Sequence, residues 1–547
     1  MVTAEEMAKK QREISVAEFF EKNRHLLGFD NKKKALLTAI KEAVDNSLDA
    51  CEEARILPDL SIEIIEMSEE RFRIIVEDNG PGIVKAQIPK IFGKLLYGSK
   101  FGAMKSSRGQ QGIGISAALL YSQLTTGKPA KIISRTSKDK PAHYFEIHID
   151  TRKNEPEVIK DEEKEWRKEH GTRIELEMEG VYQKGNQSVD EYLKQTSIVN
   201  PHATFIYTNP KAEQIIFSRV TKDLPVEPKE IKPHPYGIEL GMLIKMLDDT
   251  ESKNLSSFLQ NDFSRVSPAV AKEICEEAKL LTNEKPKNIS REQADKLIRA
   301  MQKVKIMSPP TDCLSPIGQE LLEKGLKKEI KAEFYTATTR PASVYRGMPF
   351  LVEAAIAFGG ELEAEGQIRI MRFANRVPLQ FQQSGCGITE AITETNWRAY
   401  GLQQSGDSIP SGPCVVCVHV NSVWTPYTSE AKEAIAHYPE IIKEIKLALQ
   451  ECGRELMSYV GKKKKIGDEL KKRGYIEKYI PVVAEALREL LELQKIEETR
   501  IESCLKEMLE KHRGEIKDIT AKNEEYDEKF AKIGKEDKKE QGEKEDE

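Results

Sequence analysis

The stretch KEAVDNSLDA, residues 41–50, decides how this chain is read. It belongs to KKKALLTAIKEAVDNSLDACEEA (32–54), where Leu36, Ile40, Ala43, Ser47 and Cys51 recur at helical spacing and mark the packed face. Glu42, Asn46 and Asp49 stand at i, i+4 and i+7, so they share roughly a 60° arc of the same helix, beside Asp45. Alone, such a face reads as solvated. An uncharged Asn among carboxylates also suits a hard-oxygen ligand for Mg²⁺, and a Glu one turn away can take a proton from an attacking water.

Two more pieces follow along the chain. EDNGPGI (77–83) ends a strand and delivers Asp78 into a turn where Gly80 and Gly82 free the backbone to approach a ligand. By itself it is a turn with Asx chemistry; in a pocket, an ionised Asp there can accept a hydrogen bond from an exocyclic amine such as that of adenine. RGQQGIGIS (108–116) is a glycine loop running into an apolar helix, a pattern whose N–H groups make a nest for phosphates. It is not a P-loop, and the nearest miss, GKLLYGSK (93–100), has Ser and Lys in the wrong order. The spacing G-x-x-G-x-G also differs from the dinucleotide fingerprint.

Composition narrows the class. At 547 residues and 62.0 kDa the chain is too long for one core, so about three domains are expected. A hydrophobic share of 39% with 32% charge is that of a globular protein, and the net charge of −5 announces no nucleic-acid binder, though a local basic groove can hide inside it. No run approaches the ~20 apolar residues that span a bilayer. MVTAEEMAKKQREISVAEFF has no apolar signal core, so the eight cysteines are expected to stay reduced in the cytoplasm. Cys414 and Cys417 in CVVCVHV fall on a β-branched run and read as small buried hydrophobes rather than half a metal site.

The coarse organisation is α+β and multidomain. A lead-in over 1–30 carries the short amphipathic helix SVAEFFEKNRHLLGF, and helix, strands and glycine loop then alternate to the proline-rich EPKEIKPHPYG (227–237). An all-helical module is expected over 232–309. A second linker, MSPPTDCLSPIG (307–318), opens a stretch where strands return: FLVEAAIAFGG, QIRIMRFANRVPL and CVVCVHV. A long helix is expected to begin at SEAKEAIAHYPE (429–440), break at GKKKKIG (461–467) and resume to about 512. The tail, 513–547, is nearly all Lys, Glu, Asp and Gly and cannot bury a core.

Taken together and in this order, followed by HGTRIELEM (170–178), the three motifs resemble those of the Bergerat-fold (GHKL) ATPases. The resemblance implies a GHKL sandwich over 31–231, ATP and Mg²⁺ as ligands, Glu42 as general base and Asn46 as the Mg²⁺ ligand. It places Asp49, Asp78, Gly80, Gly82 and Thr172 around the nucleotide, with Asp78 reading adenine and Thr172 supporting that end. Gly109, Gln110, Gln111, Gly112, Ile113, Gly114, Ile115 and Ser116 would hold phosphates, although Ser116 stands where some relatives carry Lys.

AEFFEKN, NSLDA, LLYGSKFG, KPHPYG, SPPTDCLSPIG, VEAAIAFGG and YTSEAKEAIA are similar to phrases of the archaeal topoisomerase VI B-subunit family, across about residues 15–480. That likeness implies a helix–two-turn–helix module (232–309), a transducer like the second domain of ribosomal protein S5 (310–475) and C-terminal helices (476–512) reaching an A subunit. It further implies an N-terminal strap (1–30) crossing to a second copy when ATP drives dimerisation, an A2B2 heterotetramer acting on double-stranded DNA without a membrane, and a cytoplasmic, nucleoid-associated place in an archaeal cell. Ser99 and Lys100 match lid-side nucleotide contacts. Lys432 matches the transducer lysine that reaches the γ-phosphate, with Glu430 and Ala431 before it where relatives have Ala-Gly. No D-x-D pair of the kind used to hold metal for DNA cleavage occurs, so cleavage is expected on the separate A subunit. No strand-rich segment follows 480, so a further immunoglobulin-like domain is not expected. A chaperone-type or mismatch-repair ATPase and a non-catalytic DNA clamp remain the alternatives.

Overall fold

The computed structural model describes residues 7, 13–109, 111–429 and 431–513. Two compact units emerge: one built from the chain up to Asn396 together with 403–452, the other from 397–402 and the chain from Gly453 onward.

In the first unit, Val16–Lys22 (α1) leads into Lys32–Glu53 (α2), which is capped by the Asn31 side chain accepting from the Lys34 N–H at 2.8 Å. Eight strands form one sheet: Asp59–Ser68 (β1), Arg71–Glu77 (β2), Ala130–Arg135 (β3), Ala142–Asp150 (β4), Glu155–Lys164 (β5), Gly171–Glu179 (β6), Thr204–Thr208 (β7) and Gln214–Phe217 (β8). Their order is β5-β4-β3-β6-β2-β1-β7-β8, antiparallel except for the parallel β1–β7 pair. Ile88–Gly93 (α3), Gly114–Thr126 (α4) and Val189–Val199 (α5) complete the layer of helices. Alternation along β1 turns Leu60, Ile62 and Ile64 inward to meet Leu36, Ile40, Val44 and Leu48 of α2 and Leu119 and Leu120 of α4. Each such side chain contributes about 2 kcal/mol by leaving water. This core leaves the opposite edge of α2 free to carry polar groups.

β5 was not legible as a strand. EPEVIKDEEK is charged and mostly exposed, and it forms the sheet edge against β4.

Four helices, Leu240–Asp249 (α6), Leu255–Asp262 (α7), Pro268–Ala278 (α8) and Arg291–Lys303 (α9), enclose a separate core around Leu243, Phe258, Leu259, Ile274 and Leu297. Gln319–Glu329 (α10) then precedes a second sheet of Phe334–Thr339 (β9), Ser343–Tyr345 (β10), Met348–Phe358 (β11), Arg369–Ala374 (β12), Val377–Pro378 (β13) and, after Gly387–Thr393 (α11), Cys414–Ser422 (β14). β14 lies between β11 and β12 and is buried along its whole length, which explains its unbroken apolar sequence. Cys414 and Cys417 sit in it as free thiols that burial pushes up.

The long helix departs from expectation at both points. It begins at Pro439 (α12, Pro439–Leu490), and the described residues among 427–437 instead belong to a tight loop closed by a bridge between Tyr427 and Ile435. It also runs through GKKKKIG without a break, although each of its two glycines costs a helix about 1 kcal/mol. In the second unit the ring of Tyr400 lies so close to Gly453 that a Cβ there would stand 2.6 Å from it. Lys495–Arg513 (α13) follows α12, with Leu505, Met508 and Leu509 facing Tyr475, Tyr479 and Val483 around a 420 Å³ groove. The 513–547 tail lies, but for Arg513, outside the described residues, as does most of the 1–30 lead-in before residue 13.

Candidate active site

The polar edge of α2 is the floor of a 630 Å³ cavity. Glu42, Asn46 and Asp49 all line it, one helical turn apart. Asn46 is exposed, and its Oδ1 lies 4.0 Å from where a Cβ on Gly109 would be. Glu42 reaches the first turn of α4 so closely that any side chain at Gly114 would collide with its carboxylate. A side chain at 114 would therefore force that carboxylate out of its place.

One end of the cavity is apolar, walled by Ala43, Val76, Ile83, Ile91, Phe92 and Ile174. Asp78 closes that end. Its Oδ1 accepts from the N–H groups of Gly80 (2.8 Å) and Thr172 (3.0 Å), and its Oδ2 from the Ser47 hydroxyl (3.1 Å). Burial pushes the carboxyl up from its usual range, opposed by those three donors and by Lys168. Gly80 does not line the cavity but holds Asp78, whereas Gly82, at φ +70, packs its backbone on Arg135 where a Cβ cannot fit.

The glycine loop forms the facing wall, with Gly109, Gln111, Gly112, Ile113, Gly114 and Ile115 lining it. Gly112 adopts φ +60 against the Phe101 ring. α4 begins at Gly114 with no side-chain cap, so its first N–H groups stay available to an anion. Ser116 departs from expectation: it is buried, its hydroxyl donates to the Ile113 carbonyl at 2.9 Å, and it does not line the cavity. Gln110 lies outside the described residues. Ser99 lines the cavity, and so does Lys100, which pairs with Asp49 at 2.6 Å and Glu53 at 3.0 Å.

Lys432 enters from the loop before α12 and lines the same cavity as Glu42. It holds a left-handed backbone, φ 53, with its N–H donating to the Ser429 carbonyl at 3.0 Å. Lys41 donates to the Ala431 carbonyl at 3.1 Å, and Lys34 pairs with Glu433, so α2 grips this loop on both sides of Lys432. Burial opposes the ammonium charge, but Glu42 and then Asp45 outweigh it and raise the group above the ordinary lysine range.

Sequence reasoning gave no role to three residues here. Asp45 is buried, accepts from the Tyr192 hydroxyl at 3.0 Å and leaves Oδ2 without a partner; burial pushes it up to about 6, against Lys432 and Lys41. Lys41 is buried too, and desolvation lowers it. Arg108 donates to Asp49 at 2.7 Å, to both oxygens of Glu52 at 2.7 and 2.8 Å and to Asn200 at 2.6 Å. Its position at the head of the glycine loop was the available signal. The stem before it is tied to the linker and to the second sheet: Ser106 donates its N–H to the Cys313 carbonyl of the linker at 2.9 Å, and Asn375, between β12 and β13, donates to the Ser107 carbonyl at 3.0 Å.

Among the described residues no group of three or more His, Cys, Asp or Glu could hold an ion, and the exposed Asn46 amide on the cavity floor offers a single hard oxygen. That suits Mg²⁺, which takes few protein ligands and completes its shell with phosphate oxygens and water. Also among the described residues, no helix is long and apolar enough to cross a membrane.

Two stretches of the chain match described families. Residues 31–179 match the family described as histidine kinase-, DNA gyrase B- and HSP90-like ATPase, and residues 309–472 match that described as topoisomerase VI B subunit, transducer. A Methanococcoides burtonii protein named as the B subunit of type 2 DNA topoisomerase 6 is 54% identical over 490 residues, covering 89% of this chain and 79% of that one. Its namesake in Methanosarcina acetivorans is 52% identical over 490 residues, with the same coverage, and that of Archaeoglobus fulgidus is 49% identical over 496 residues, covering 90% and 82%. The chain carries a GHKL ATPase region joined to a transducer, and it belongs to the topoisomerase VI B-subunit family.

Proposed function

We propose that this chain binds and hydrolyses ATP as the B subunit of a type IIB DNA topoisomerase. Its nucleotide-driven dimerisation would capture a duplex and drive it through a double-strand break made by a separate A subunit in an A2B2 assembly. One observation carries the reading: a single cavity gathers Glu42, Asn46, Asp78, the glycine loop and, from a different domain, Lys432.

In this reading the adenine occupies the apolar end, where Asp78 accepts from its exocyclic amine and Thr172 keeps Asp78 oriented. The phosphates run toward the start of α4, where Gly109 and residues 111–115 offer backbone N–H groups. Mg²⁺, held by Asn46, would neutralise phosphate charge. Glu42 takes the proton of the attacking water, Lys432 neutralises charge on the γ-phosphate, and positioning supplies most of the remaining acceleration. Loss of that phosphate removes the contact across the domains and lets them move apart. Asp49 and Lys100 neutralise each other beside the site, so their contribution is to hold the wall rather than to touch the nucleotide.

We further assign 31–231 to the ATPase domain, 232–309 to a helix–two-turn–helix domain and 310–475 to the transducer. The helices of 476–512 would meet the A subunit, and 1–30 would strap two copies together. The four-helix module between ATPase and transducer weighs against a chaperone-type or mismatch-repair ATPase. Co-expression with a candidate A subunit tests the function: ATP-dependent relaxation or decatenation by the pair, and by neither chain alone, supports it. A pair that relaxes DNA equally well without ATP would overturn it.

A further inference from the structure

Beyond the nucleotide cavity lies a second, polar chamber of 240 Å³, several times the roughly 30 Å³ that one water takes in the liquid. Gln111 and Lys432 belong to both spaces and form the partition between them. The far wall comes from the segment after β14, with Thr425, Tyr427 and Ser429, and from Arg108 at the root of the glycine loop.

The chemistry of the wall is one-sided. Among the described residues lining it there are two cations, Arg108 and Lys432, and no carboxylate. Arg108 is 4% exposed and its Nε is buried without a hydrogen-bond partner, although its terminal nitrogens are fully engaged by Asp49, Glu52 and Asn200. The Ser429 hydroxyl likewise lacks a hydrogen-bond partner, and Thr425, 7% exposed, and the neighbouring phenol of Tyr427 have only each other, with no bond of good geometry between them. Buried donors left unmatched are costly in a folded protein, so their concentration in one chamber calls for a ligand rich in acceptors. A small tetrahedral oxyanion, with oxygens for the Arg108 Nε, the Ser429 and Thr425 hydroxyls and the Lys432 ammonium, meets that requirement.

From this, and resting on the ATP-hydrolysis reading, we infer that the chamber is a product site that receives inorganic phosphate after cleavage, passed across the partition by Lys432. The geometry makes Lys432 the shared ligand of two positions: the terminal phosphate on the nucleotide side and the freed phosphate on the transducer side. Thr425 and Ser429 lie on the segment that leads into the Lys432 loop, so the transducer itself would register how long phosphate stays.

Calorimetric titration of inorganic phosphate into the full chain saturated with Mg²⁺ and ADP tests this. Wild type should bind phosphate at one site per chain, and Thr425→Val with Ser429→Ala should weaken that binding at least tenfold while ADP affinity is retained. Thr425→Ser with Ser429→Thr, which keep both hydroxyls, should restore binding to within about threefold. If the double apolar variant fails to bind ADP, Ser429→Ala alone carries the test, with a weakening of threefold or more expected. Phosphate binding that is unchanged in the apolar variant, or absent in wild type that binds ADP, overturns the chamber and leaves the proposed function standing. Wild type that binds no ADP overturns both.

Discussion

The Lys41 ammonium donates to the Ala431 carbonyl at 3.1 Å, across 390 positions of sequence, and so ties the loop carrying Lys432 to the helix carrying Glu42. Because both groups line one cavity, the fidelity of that tie sets where the Lys432 charge sits. Lys41→Met keeps the apolar stem and removes the donor. A charge-assisted hydrogen bond of this kind is worth about 1.5–3 kcal/mol, so ATP turnover should fall roughly tenfold or more. ADP affinity, which does not depend on Lys432 in this mechanism, should hold. Equal losses in both would show that Lys41 merely supports the fold.

Glu42 and Gly114 are coupled by contact, which gives a paired prediction. Glu42→Gln should leave ATP bound and lower turnover by on the order of 10²–10⁴, the usual share of a general base. Gly114→Ala ought to be benign by helix propensity, which favours Ala by about 1 kcal/mol. Here the new methyl would strike the Glu42 carboxylate, so turnover should drop while melting temperature changes little. Wild-type turnover in Gly114→Ala would show that the carboxylate has room to shift without consequence.

What was legible in the sequence were short segments whose chemistry is local. Glu42, Asn46 and Asp78 stand in phrases of seven to ten residues whose helix or turn geometry already fixes their direction, and all three line the cavity. What escaped depends on partners far along the chain. Arg108 looks like an exposed loop arginine until Glu52 and Asn200 are brought to it, and Asp45 looks solvated until Tyr192 covers it. The loop at 427–437 has helix-forming composition, yet its ties to Lys34 and Lys41 hold it out of the helix. Local propensity lost there to tertiary contact.

Acid should weaken the second sheet through His419. Its Nε2 accepts the Arg376 N–H at 2.9 Å, so that nitrogen carries no proton, and Nδ1 donates to Glu353 at 2.7 Å. Burial lowers the imidazole below its usual value, outweighing the Glu353 carboxylate. An imidazole lowered in the folded state keeps its full stabilising effect above about pH 6.5, the unfolded value, and loses it as pH falls below that. Unfolding midpoints in urea should therefore decline as pH falls below about 6.5, and His419→Asn, which cannot be protonated but can still donate to Glu353, should flatten that decline. An identical slope in wild type and variant would assign it to other groups.

Arg108 joins the lid to α2 and α5 through buried charges, and its removal should cost more than its replacement together with a partner. Burial alone would raise both Asp49 and Glu52, yet Arg108, with Lys100 on Asp49 and His202 on Glu52, holds both below the usual carboxylate range. Arg108→Met strands these charges, so stability should fall by about 3–5 kcal/mol at neutral pH. Converting Glu52 to Met in the same chain removes the larger stranded charge, and a good part of that loss should return. Additive losses in the Arg108→Met, Glu52→Met cycle would mean that the pair is not coupled, and that the lid stem is held by Asn375 and Cys313 instead. Strong non-additivity is expected, because the guanidinium makes two of its four hydrogen bonds to Glu52 alone.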